Sequence, residues 1–119
     1  MILPTPLEEI LIVDDTPANL KLLSQILTDQ GYKVRVAVNG AQALASIDLA
    51  KPDLILLDVK MPGINGFEVC RQLKANPKTN NVPVIFISAL DDLKDKLEGF
   101  SVGGVDYISK PFQIEEVKA

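Results

Sequence analysis

Short aliphatic runs recur along this chain at intervals that each leave room for one helix, and that alternation constrains the fold most. Ile10-Leu11-Ile12-Val13, Leu54-Ile55-Leu56-Leu57 and Val84-Ile85-Phe86-Ile87 are unbroken apolar stretches. Such runs suit strands buried on both faces of a parallel sheet. Lys33-Val34-Arg35-Val36-Ala37-Val38 alternates instead, with Val34, Val36 and Val38 on one side. It reads as an edge strand with one wetter face. Gly104-Val105-Asp106-Tyr107-Ile108 is a weaker fifth strand.

The segments between the strands carry helix start and stop signals. Thr16 can N-cap a first helix with Pro17 at its first position, where a missing N–H costs nothing. Leu20, Leu23 and Leu27 mark its apolar stripe, and Gly31 ends it. Asn39 followed by Gln42 resembles a capping box for a second helix closed before Pro52. Asn65 and Glu68 repeat the arrangement for a third, ending near Asn76-Pro77. A fourth is expected from about Asp91 to Gly103, and a fifth begins after Pro111.

Five strands alternating with five helices imply an α/β fold, its parallel sheet covered on both faces and its crossovers right-handed. The natural arrangement is a flavodoxin-like (βα)5 doubly wound sheet of order 2-1-3-4-5, which puts the alternating strand at an edge. In that order the first and third strands are neighbours, and the crevice at their carboxyl ends is the topological switch point. At 119 residues the chain makes a single domain, 1–119 with its core from about residue 8.

Several function classes fall away on composition. A net charge of −4 argues against a nucleic-acid-binding surface, which needs clustered Lys and Arg. There is no His, which removes histidine acid–base chemistry, histidine metal ligation and any phosphohistidine carrier role. Cys70 is the one cysteine, so no intrachain disulfide can form, and it reads as a small packed side chain. The N-terminal residues lack the basic and apolar regions of a signal peptide, and no run approaches membrane-spanning length. The expected location is the cytoplasm.

Each expected strand ends in something polar or reactive. Asp14-Asp15 follow the first, Asp58 the third and Ser88 the fourth, while Lys110 lies just past the fifth. Singly these are ordinary caps, turn residues and a surface lysine; at four strand ends of one sheet they converge on one crevice. Carboxylates pressed together repel unless a cation joins them. Oxygen donors without His or Cys suit a hard ion such as Mg²⁺. Such a site fits phosphoryl transfer, with Lys110 and Ser88 facing the phosphoryl oxygens and an aspartate as nucleophile. The residues alone do not say which Asp is attacked.

Val13-Asp14-Asp15, Leu56-Leu57-Asp58-Val59-Lys60-Met61-Pro62-Gly63-Ile64-Asn65-Gly66, Ser88-Ala89 and Lys110-Pro111-Phe112 together resemble the receiver domains of two-component response regulators. The resemblance covers nearly the whole chain. It implies that Asp58 is the phosphoacceptor and that Asp15 and Asp58 ligate Mg²⁺ directly, with Mn²⁺ as a substitute. Asp14 then acts through bound water, and the Lys60 backbone carbonyl is a further ligand. Ser88 matches the switch hydroxyl, Tyr107 the switch aromatic, Lys110 the family's lysine (its bond to Pro111 expected to be cis), and Ala89 a small residue admitting the phosphoryl group. Half-buried packing is the alternative for Tyr107. Lys60 and Leu90 occupy positions expected to tune the lifetime of the aspartyl phosphate, by charge and by shielding respectively.

The implied partners are a sensor histidine kinase or phosphotransfer domain as donor, and an output domain or separate protein as target. The implied switch surface is the fourth helix, fifth strand and fifth helix, a face through which receivers can also form homodimers. Such a domain is regulatory rather than an enzyme, although it catalyses its own phosphorylation and dephosphorylation. Only Phe112 to Ala119 follow Pro111, shorter than the family's fifth helix, so excision from a longer protein is expected, with a single-domain regulator that ends short as the alternative. Among rivals, a haloacid-dehalogenase-like phosphatase would carry Asp-x-Asp after the first strand and a cap domain. A flavin or nucleotide module would need a phosphate-cradling loop where Asp14-Asp15 stand, and a degenerate receiver would lack the acidic set.

Overall fold

A computed structural model of the chain describes residues 9–88, 103 and 106–109, with Ser88 and 106–109 described through their backbone pairing. The elements run β1 (Glu9–Val13), α1 (Pro17–Asp29), β2 (Lys33–Ala37), α2 (Gly40–Leu49), β3 (Leu54–Asp58), α3 (Gly66–Ala75), β4 (Val84–Ser88) and β5 (Asp106–Ser109). The expected fourth and fifth helices, with Ala89, Leu90, Lys110 and Pro111, lie outside the described residues.

The strands form one sheet of order β2-β1-β3-β4-β5, every neighbouring pair parallel, as the sequence leads one to expect. Alternate residues of the three central strands serve opposite faces. Leu11, Val13, Ile55, Leu57, Val84 and Phe86 pack with α2 and α3 residues such as Ala43, Ile47, Phe67 and Leu73. Ile10, Ile12, Leu54, Leu56, Ile85 and Ile87 pack with Leu20, Leu23, Ile26 and Leu27 of α1. Two-sided burial is why the central strands carry no polar alternation, each buried aliphatic contributing on the order of 1.5–3 kcal/mol. Phe67 meets Phe86 edge to face, ring centres 5.1 Å apart.

The expected edge strand lies at the edge of the sheet, with one face wetter than the other. Its wetter face is the valine face: Val36 is 49% and Val38 41% exposed, while Ala37 is buried. The reason lies on both sides of the sheet. The α1-side cluster reaches only Val34 and Tyr32 at this edge. On the other face Arg35 turns inward, donating to the Ser46 carbonyl and hydroxyl and pairing with Glu9. An alternation of valines marked a strand but not which face it buries.

Two helix starts follow their sequence signals. Asn39 Oδ1 accepts from the Gln42 N–H at 2.8 Å, and Gln42 Oε1 accepts from the Val38 N–H at 3.1 Å. Asn65 Oδ1 accepts from the Glu68 N–H at 3.0 Å. The first helix departs. Thr16 is its N-cap residue and Pro17 opens it, but the Thr16 side chain makes no capping hydrogen bond. Gly31, at φ +94°, follows the helix in the left-handed region that glycine enters at no steric cost.

Candidate metal and phosphoacceptor site

Asp14 leaves the carboxyl end of β1 and Asp58 is the last residue of β3. Those strands are neighbours, with Val13 opposite Leu57, so the two side chains arrive at one end of the sheet. Asp14 is wholly buried, Asp58 nearly so, and Asp15 exposed. One carboxylate oxygen from each of the three lies within 4.8 Å of those from the other two. Three ionised carboxylates this close repel one another, and a hard divalent cation among their oxygens would relieve that repulsion. The donor set, all oxygen and neither nitrogen nor sulfur, fits Mg²⁺ chemistry.

The local chain explains the placement. The Asp14 N–H donates to the Ala37 carbonyl at 3.1 Å, extending the β1–β2 ladder one residue past the strand. Asp14 Oδ1 accepts from the Thr16 N–H at 2.9 Å, and Oδ2 accepts from the Asn19 side-chain amide at 3.3 Å. Beyond Asp58, the Val59 N–H donates to the Ile87 carbonyl, and Gly66 N–H closes the following loop onto the Val59 carbonyl at 2.8 Å. A Cβ at Gly66 would stand 2.2 Å from the Asp58 carbonyl oxygen, so only glycine lets α3 begin against the strand end. Gly63 supplies that loop's left-handed turn at φ +80°.

The remaining expected residues divide by location. Lys60 is exposed, two residues past Asp58. Ser88 closes β4, in register one step beyond the Asp58–Ile87 pair, and Tyr107 lies in β5 opposite Phe86. Lys110, Leu90 and Ala89 are outside the described residues. Asp15 also borders a groove floored by Val38, Ala41, Pro62 and Ile64. Cys70 is fully buried, and burial raises its thiol pKa despite opposition from Lys74 and Arg71, as suits a packed, inert side chain. Sequence reasoning missed Asn19 as a partner of Asp14. The available signal was a poor helix former in the first turn, five residues after that aspartate.

The fold and this acidic site define a class of signalling module, and comparison with known proteins identifies it. Residues 10–119 match the family described as response regulator receiver domain. The chain is 48% identical over 102 residues to the response regulator PleD of Caulobacter vibrioides, covering 86% of this chain and 22% of that protein. It is 41% identical over 106 residues to protein PilH of Pseudomonas aeruginosa, covering 89% of this chain and 88% of PilH. The structure of the chemotaxis response regulator CheY4 of Vibrio cholerae superposes with a TM-score of 0.89 at 31% identity, covering 94% and 93% of the two chains. The chain belongs to the response regulator receiver family, the regulatory modules of two-component signalling. It spans less than a quarter of PleD. A receiver implies a histidine kinase as its partner, and the Asp14, Asp15 and Asp58 cluster is of the kind that holds Mg²⁺ in this family. Among the described residues, no helix is long and apolar enough to cross a membrane.

Proposed function

We propose that this chain is a cytoplasmic phosphorylation switch in which Asp58 accepts a phosphoryl group from a phosphohistidine on a sensor kinase or phosphotransfer domain, or from acetyl phosphate. The observation that carries this reading is the approach of the Asp14, Asp15 and Asp58 oxygens to within 4.8 Å at the ends of adjacent parallel strands. Asp15 and Asp58 would hold Mg²⁺ or Mn²⁺ directly, with the Lys60 carbonyl, while Asp14 acts through water. The ion supplies neutralisation of charge on the phosphoryl oxygens.

The chain's own groups do the rest. An Asp58 carboxylate oxygen attacks phosphorus, the bond from phosphorus to the donor's imidazole nitrogen breaks, and an acyl phosphate remains on Asp58. Burial of Asp58 on a rigid central strand fixes the direction of attack. Ser88 and Lys110 would contact the transferred oxygens, one by its hydroxyl and one as a point charge. Tyr107 would then follow Ser88 inward, shifting the population of the face formed by the fourth helix, fifth strand and fifth helix. That face would control an output domain or partner protein, directly or by forming a homodimer. Lys60 and Leu90 would set the lifetime of the acyl phosphate. The receiver unit spans 1–119, with its core from about residue 8.

Incubation with MgCl₂ and acetyl phosphate followed by intact mass tests the reading. One added phosphoryl group is expected, absent in Asp58→Asn and absent when the metal is chelated. No uptake from acetyl phosphate or a phosphorylated kinase would leave a receiver acting only as a binding surface. If Lys60→Ala with Leu90→Ala left the dephosphorylation rate unchanged, the lifetime roles would fall.

A further inference from the structure

Asp14 is fully buried and its carboxylate receives a donor on each oxygen, from the Thr16 backbone N–H on Oδ1 and from the Asn19 amide on Oδ2. Rotation of a carboxylate about its last torsion is soft, so donors on both oxygens hold its plane more firmly than a donor on one. The Asn19 donor, from the first turn of α1, helps to set the plane and hence the direction in which the lone pairs face Asp15 and Asp58.

The Asn19 side-chain amide is turned to Asp14 rather than to its own helix. Asn19 is the third residue of α1, a poor helix former in the first turn, and its backbone N–H already donates to the Thr16 carbonyl at 3.0 Å. Asn39, Asn65 and Asn76 all use their side-chain oxygen to accept from a nearby backbone N–H. Asn19 does the reverse, donating through its amide N–H to a carboxylate oxygen of Asp14. Half-buried and aimed backward out of the helix, its amide serves the site rather than the helix end.

We propose that Asn19 is a positioning residue, its side-chain amide setting the orientation of the Asp14 carboxylate and thereby the strength of divalent-cation binding. This rests on the reading of Asp14, Asp15 and Asp58 as a Mg²⁺ site. Partners that orient a ligating group from outside typically change metal affinity about 10–100-fold when removed.

The test titrates MgCl₂ into the chain by calorimetry, and in parallel follows the thermal midpoint against MgCl₂ concentration. Asn19→Leu is nearly isosteric, keeps the helix and deletes the donor; Asn19→Ala deletes it a second way should the leucine variant not fold. Gln25→Leu, at an exposed position of the same helix, controls for an added apolar side chain. Mg²⁺ binding is expected to weaken about tenfold or more in the Asn19 variants, with Gln25→Leu like wild type. Asn19→Gln, which keeps an amide donor, should recover part of the loss. Wild-type affinity in either donor deletion would overturn the role of Asn19 while leaving the metal site standing. Absence of Mg²⁺ binding by the wild-type chain would overturn both.

Discussion

The first helix and the two that follow it begin by opposite logic. At α2 and α3 an asparagine precedes the helix and turns its oxygen onto a backbone N–H of the first turn, so the side chain serves the helix. At α1 the direction is reversed. The Thr16 side chain caps nothing, and the Thr16 N–H and the Asn19 amide both turn toward Asp14. The starts of α2 and α3 are finished by their own caps, even though α3 opens against the Asp58 backbone. The start of α1 instead gives its nearby donors to the Asp14 carboxylate.

The strongest way to break this contrast is at the glycines that open α2 and α3. Gly66→Ala drives a methyl into the Asp58 backbone carbonyl, an obstacle that cannot rotate away. Urea unfolding should show a loss of roughly 1–3 kcal/mol, accompanied by weaker phosphoryl uptake because the displaced atom belongs to the phosphoacceptor itself. Next in size, Asn39→Ala removes a cap that serves only the helix, and should cost about 1 kcal/mol while leaving acetyl-phosphate-driven labelling at the wild-type rate. Gly40→Ala comes third. Its methyl would meet Ile64 and Val69 side-chain atoms, the nearest at 2.6 Å, and the half-buried Ile64 can swing toward the neighbouring groove. The gain in helix propensity offsets part of the crowding, so a change below about 1 kcal/mol is expected in the same unfolding assay. Smallest of all, Thr16→Ala should stay within about 0.5 kcal/mol of wild type, since no side-chain cap is lost. A loss as large as that of Asn39→Ala would show that Thr16 caps α1 after all.

What could be read in advance follows the range of the interactions. The strand runs, their order and the two asparagine caps are legible because burial on both faces and i to i+3 bonding leave periodic or local marks. The acidic cluster was legible as a set of strand ends, since parallel strands of one sheet deliver their carboxyl ends to one side. Three features were not. Thr16 looks like any N-cap, and only the adjacent burial of Asp14 diverts the turn. Val34, Val36 and Val38 announce a strand, but which face is covered depends on how far α1 reaches across the sheet and on the acceptors waiting for Arg35. The bond from Asn19 to Asp14 depends on a loop-to-helix geometry that leaves only a faint mark in the sequence, a poor helix former in the first turn.

Arg35 carries a consequence for how this domain behaves among its own copies. Strand β2 has a neighbour on one side only, and its outer row of backbone groups is a template on which another chain could pair. The strand is short, Lys33 stands exposed at its start, and Arg35 is anchored inward by Glu9 and Ser46. That anchoring fixes which residues face out, because a slip by one position would pull a half-buried guanidinium from three acceptors at once. A charged, register-locked edge accepts no additional strand easily, so the exposed Val36 and Val38 beside it can stay bare without seeding aggregation.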